Sequence, residues 1–175
     1  MVSVLFSILL QKIKEEELPA FCKAINGTLD DLPVLQKFDT IIYIDVLEHI
    51  ENDKSEIEKA VTKLNDDGQL IILSPAFQML YSPFDKAIGH YRRYTKKTLR
   101  ETVKTPNLTE TKMFYLESSG MLLLLINKFL FKRNYPSKKN IVVWDKLFIP
   151  VSKLLDKISF YSFGKTIIGI WKYKA

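Results

Sequence analysis

Apolar residues recur along this chain with two periods, and the periods alternate. Thr40 to Ile44 is a short run of β-branched and aromatic residues with apolar groups on both faces, the pattern of a fully buried strand. Gln69 to Leu73 is a second such run. Between them Ile57, Ala60, Val61 and Leu64 sit at i, i+3, i+4 and i+7 and predict one stripe of a helix. Asp53 is placed to cap that helix, with Glu56 completing a capping box. Asp67-Gly68 ends it, with the glycine left-handed. Strand, helix, strand in that order predicts two parallel strands joined by a right-handed crossover.

The flanking segments extend the alternation. Phe6, Leu9, Leu10 and Ile13 form a helical stripe that Pro19 stops, and Phe21 to Ile25 reads as a short strand that turns out at Asn26-Gly27-Thr28. Pro75 to Tyr94 is a long loop holding five aromatics, which points to an ordered lid or substrate wall. A helix starts at Thr95 and runs to Val103, and Glu110 to Leu116 reads as a strand. Gly120 to Phe131 is strongly apolar but too short to span a bilayer. It is read as a core helix or as an interfacial one with Lys128, Lys132 and Arg133 at the head groups. Trp144 to Leu155 is a second amphipathic helix that Pro150 should kink or split, and Tyr161 to Trp171 is a final strand. The fold class is α/β, a mostly parallel sheet with helices on its faces. We expect one domain over residues 1–175, with 76–95 as the lid loop and 117–158 as a helical insertion on the substrate or membrane side.

Composition narrows the function classes. With 175 residues, 47% of them hydrophobic and 26% charged, the chain can bury a core and is not of disordered composition. A net charge of +6 suits anionic partners: a phosphate-bearing substrate or an acidic membrane surface. Nucleic acid is disfavoured, because the basic residues are scattered and form no recognisable binding motif. The single cysteine, Cys22, excludes an internal disulfide and a cysteine zinc site. A reducing cytoplasm is the natural compartment.

The chemistry gathers where the first predicted strand ends. Asp45 lies at its C-terminal end, the edge at which open α/β sheets bind ligands. Glu48 and His49 follow in the same turn. In the loop, His90 is read as a base or as a structural hydrogen-bond anchor. Arg92 and Arg93 are read as a clamp for a carboxylate or phosphate, or as loop pins paired with Asp85 or the helix. Tyr81 and Tyr94 complete the candidate substrate wall. Spacing gives no metal constellation: two histidines without matched carboxylate spacing do not make a site.

Four segments together resemble the class I S-adenosylmethionine-dependent methyltransferases: Asn26 to Pro33, Asp45-Val-Leu-Glu-His-Ile50, Leu64 to Pro75, and Gly89-His-Tyr-Arg-Arg-Tyr-Thr to Leu99. The resemblance implies a Rossmann-like sheet whose last strand is antiparallel, with S-adenosylmethionine as cofactor. It implies that Asp45 and Val46 hold the methionine end, that Thr28 and the Leu29 N–H hold adenine, and that Glu48, His49 and His90 contact a small-molecule or lipid-linked acceptor. The chain departs from the family in having no glycine before Gly27, hence no glycine-rich loop ahead of that position. It looks like a methyltransferase N-terminally truncated by two strands. On that expectation the Thr40 to Ile44 strand is left as an exposed edge, to be completed by another chain or a second copy. The alternatives are an inactive methyltransferase-like module that binds a partner, a peripheral membrane protein and a nicotinamide-dependent fragment.

Overall fold

The computed structural model describes Cys22, residues 25–126 and residues 149–175. The chain divides into two units, one ending at Gln36 and the other starting at Lys37. The helix expected around Phe6 to Ile13 lies outside the described residues, as do Phe21, Lys23 and Ala24. Cys22 and Ile25 carry no strand, so nothing described supports the strand expected there. In the first unit Leu29–Asp31 forms a 3-10 turn closed by a capping box between Thr28 and Asp31.

The second unit is built on a four-stranded sheet in the order β1-β2-β4-β3. The strands are β1 (Phe38–Ile44), β2 (Leu64–Pro75), β3 (Leu108–Leu116) and β4 (Thr166–Tyr173). β2 runs parallel to β1, and β4 runs antiparallel to both β2 and β3. The mostly parallel sheet with an antiparallel C-terminal strand is thus the observed topology. Helix α1 (Asp53–Thr62) makes the β1–β2 crossover, α2 (Pro83–Ile88) and α3 (Lys96–Thr102) lie between β2 and β3, and α4 (Ser118–Ile126) and α5 (Ile149–Ile158) lie between β3 and β4.

Period-two burial fixes the core. Leu70, Ile72 and Ser74 of β2 and Ile167 and Trp171 of β4 are buried, while their neighbours are partly open, as the pleat dictates. Ile57 and Ala60 of α1 and Leu99 of α3 close that face and are fully buried. Each large apolar side chain so buried contributes roughly 1.5–3 kcal/mol. α1 packs on β2 and α3, and α4 packs on α5. Asp156 of α5 accepts from the Glu117 and Ser118 N–H groups at 3.0 and 2.8 Å. It thereby satisfies the otherwise orphaned donors at the start of α4.

Several expectations need correction. β1 is not buried on both faces: Ile41 and Tyr43 point into the core, but Ile42 and Ile44 are 54% and 60% exposed. Among the described residues β1 is an edge strand, as the sequence led us to expect. The cap of α1 is Asn52, whose side chain accepts from Ser55 N–H, because Asp53 is drawn into buried contacts instead. α1 ends at Thr62, and β2 runs straight through Asp67-Gly68, where Asp67 and not Gly68 has the positive φ, 62°. The Pro75 to Tyr94 segment contains a 3-10 turn at Gln78–Leu80 as well as α2. Pro150 is the second described residue of α5, and the kink expected there falls against residues outside those described. Trp144 to Phe148 lie outside the described residues.

Candidate functional site

The carboxyl edge of β1 and β2 carries the site. Past Ile44 the chain reverses at Asp45, which takes a left-handed φ of 50°. Aspartate tolerates that region better than most residues. Its N–H still donates to Leu73 O, 3.0 Å away, so the turn is pinned to β2. Leu47–His49 forms a 3-10 turn that buries Leu47 and Glu48 completely and leaves His49 at the surface.

Glu48 is the unusual member. A fully buried carboxylate needs partners to offset its lost hydration. Its Oε2 accepts from Ser74 Oγ at 3.0 Å. Its Oε1 has no hydrogen-bond partner among the described residues, and His90 Nε2 stands 3.8 Å away. Burial raises the Glu48 pKa above the ordinary carboxylate value, and the nearby Asp45 charge adds to the rise.

His90 is delivered by α2. Ser82 caps that helix in a capping box with Asp85, Pro83 opens it, and Gly89 ends it in the left-handed conformation at φ 90°, as helix-end chemistry prefers. Asp85 is fully buried. Its Oδ2 accepts from Ser82 N–H and Oγ–H at 2.8 and 2.7 Å. Its Oδ1 meets His90 Nδ1 at 3.0 Å and Arg93 Nη2 at 2.7 Å. Burial pushes the Asp85 pKa up, but the hydrogen bonds from His90 and Ser82 and the Arg93 charge outweigh it and hold the carboxyl well below its ordinary range. An ionised Asp85 only accepts, so Nδ1 of His90 donates to it and Nε2 is the ring nitrogen left facing Glu48. His49 meets the His90 ring edge-on with centroids 4.5 Å apart. Burial, and then His90, lowers the His49 pKa. Asp45 is open to solvent on one side. The protein packed behind it raises its pKa, against Lys165, His90 and His49, which lower it.

The structure therefore gathers Asp45, Glu48, His49 and His90 at one edge. It places the other candidates differently. Arg92 pairs with Asp53 at 2.7 Å, and Tyr94, buried to 1% exposure, donates to the same carboxylate at 2.8 Å. Arg93 pairs with Asp85. Both arginines thus act as the loop pins that the sequence allowed. Tyr81 donates to His90 O at 2.6 Å and fixes the loop behind the histidine. An open cleft of about 320 Å³ lies by Asp53, Gln78, Arg92 and Tyr94, and none of Asp45, Glu48, His49 and His90 lines it. Thr28 is engaged locally: its Oγ1 donates to Asp31 Oδ2 at 3.1 Å and accepts from Asp30 N–H at 3.3 Å. The sequence reading missed the central part of Asp85. Its signal was present in Ser82-Pro-Phe-Asp85, a capping box with proline at the first helical position.

No protein-family profile and no curated protein matches the chain, but solved structures do. An S-adenosylmethionine-dependent methyltransferase from Clostridium acetobutylicum superposes with a TM-score of 0.52 at 12% identity, covering 97% of this chain and 71% of its own. The N-methyltransferase NodS from Bradyrhizobium japonicum, in complex with S-adenosyl-L-homocysteine, gives 0.51 at 11%, covering 95% and 62%. A chain from the Haloferax volcanii complex of a methyltransferase with its Trm112 activator gives 0.57 at 10%, covering 94% and 67%. The chain has the class I methyltransferase fold and spans about two thirds of the length of these structures. No helix among the described residues is long and apolar enough to cross a membrane.

Proposed function

We propose that this chain is a methyltransferase that uses S-adenosylmethionine and acts on a small-molecule or lipid-linked acceptor. The observation that carries the reading is Asp45: a solvent-accessible carboxylate in a left-handed turn at the carboxyl end of β1, pinned to β2 by its own N–H. A carboxylate so held suits the ammonium of an amino-acid ligand. Asp45 would hold the methionine amine, with the Val46 backbone beside it. The cofactor supplies an activated methyl group; the protein's own part is to orient the acceptor and keep it in attack geometry. His49 faces the acceptor position, with His90 and the buried Glu48 behind it. Segment 76–95 forms the acceptor-side wall, held in shape by Tyr81, Arg92, Arg93 and Tyr94 rather than reaching out with them. The adenine role of Thr28 and Leu29 rests on the sequence resemblance.

The test is isothermal titration with S-adenosylhomocysteine, using the wild-type chain and Asp45→Asn, which keeps tolerance of the left-handed turn. We expect binding near about 10 μM for the wild type and at least about tenfold weaker for the variant. No heat at millimolar ligand would overturn the reading and favour a methyltransferase-like module that binds a partner.

A further inference from the structure

We propose that Glu48, His49 and His90 form a binding site for a divalent first-row transition metal, of which zinc is the type. Spacing along the chain does not suggest the site, because the third ligand comes from the far end of α2. The fold creates it. One ligand atom from each of the three residues lies within 4.8 Å of the other two.

Three independent observations point to an ion there. The first is the orphaned oxygen: Glu48 is fully buried, yet its Oε1 has no hydrogen-bond partner among the described residues and is aimed at His90. A buried polar atom left in that state costs free energy, which a cation between the two groups would recover. The second is the support behind His90. Asp85 accepts from His90 Nδ1–H at 3.0 Å and leaves Nε2 as the ring nitrogen facing the cluster. A carboxylate behind an imidazole is the usual outer support of a metal ligand, fixing tautomer and ring orientation. The third is His49, packed edge-on against His90 with ring centroids 4.5 Å apart. It stands at the solvent side, where an ion would enter.

Donor chemistry selects the metal. Two imidazoles and one carboxylate suit zinc, cobalt or nickel and disfavour magnesium, which prefers oxygen ligands. Bonds of about 2.0–2.2 Å put ligand atoms roughly 3–3.6 Å apart, so closing onto an ion takes side-chain movement of about 1 Å, within reach of surface His49. Three protein ligands leave a coordination position open, as at catalytic zinc.

The experiment titrates the tag-free, chelator-treated full chain with ZnCl2 and separately with MgCl2 by calorimetry. It is repeated with Glu48→Gln, which keeps the shape and the Ser74 contact, and with His49→Ala. His49 is exposed, so that variant should fold whatever Glu48→Gln does; thermal melts check both. We expect one zinc per chain with a Kd of about 1 μM or tighter, no magnesium binding at about 1 mM, and at least about a tenfold loss in His49→Ala and in any folded Glu48→Gln. Absence of zinc binding up to about 100 μM overturns the proposal. So does zinc binding that folded His49→Ala leaves unchanged, because the ion would then sit elsewhere. No S-adenosyl ligand enters the titration, so this proposal and the methyl-transfer reading stand or fall separately.

Discussion

Asp85→Ala is the most informative single change in the molecule. It removes the acceptor for Ser82 N–H and Oγ–H, for His90 Nδ1 and for the Arg93 guanidinium. The Asp85 and Arg93 side chains are only 1% and 10% exposed, so water cannot replace the lost partner. Removing one member of a buried, hydrogen-bonded pair costs about 3–5 kcal/mol, most of it the penalty of the stranded charge. Against a domain stability of about 5–15 kcal/mol, the variant should lose a fifth or more of its margin. If the stranded guanidinium is the cause, Arg93→Met in the Asp85→Ala background should recover part of the loss, with a coupling of about 1–3 kcal/mol. Urea denaturation followed by circular dichroism on the two single variants and the double variant measures both quantities. A cost below about 1 kcal/mol for Asp85→Ala, or additive costs in the double variant, would refute the argument. The pH dependence has a definite sign. The folded carboxyl is held below its ordinary range, so folding favours the ionised form. That contribution is present above the unfolded value of about 3.9 and is lost as pH falls through the folded one. Asp85→Asn, which does not ionise, should therefore be less stable near neutrality and lose less on acidification.

Two further changes bracket that result. Arg100 and Glu110 make a two-pronged contact at 2.7 and 2.8 Å, but at 53% and 28% side-chain exposure; Arg100→Ala should cost no more than about 1 kcal/mol in the same denaturation assay, and the effect should shrink in salt. Gly164→Ala should cost about 1–3 kcal/mol, toward the upper end, because an added Cβ would lie 2.0 Å from Leu116 O, a backbone atom that cannot swing aside; a melting temperature equal to wild type would contradict this.

The sheet was legible because its signals are local. Patterning placed β1, α3 and β3 within two residues and found α1 and β2, although Leu64 to Gly68, read as the end of the helix, belongs to β2; the family-like motifs supplied the antiparallel last strand. What stayed hidden depends on long-range contacts. Asp53 looks like a cap by position, but Tyr94, Thr102 and Arg92 arrive from distant segments and claim its carboxylate. The burial of β1 on both faces was inferred from Ile42 and Ile44, and whether a second layer covers a β-branched residue is not written in that residue. Asp45, Glu48 and His49 could be found because they are adjacent at a strand end. Their relation to His90 could not, since it depends on α2 ending at Gly89 and on Asp85 holding the ring.

The position of β4 has a kinetic meaning. It lies between β2 and β3, yet follows both in the sequence by a wide separation, with partners such as Gln69 and Lys172. Until β4 docks, β2 and β3 each keep a row of unpaired amides and carbonyls, and no intermediate can join them directly. Contacts of such high sequence separation make for slow folding. The vulnerable species is a chain with its crossover formed and two open seams, competent to pair with a neighbour's strand instead of its own.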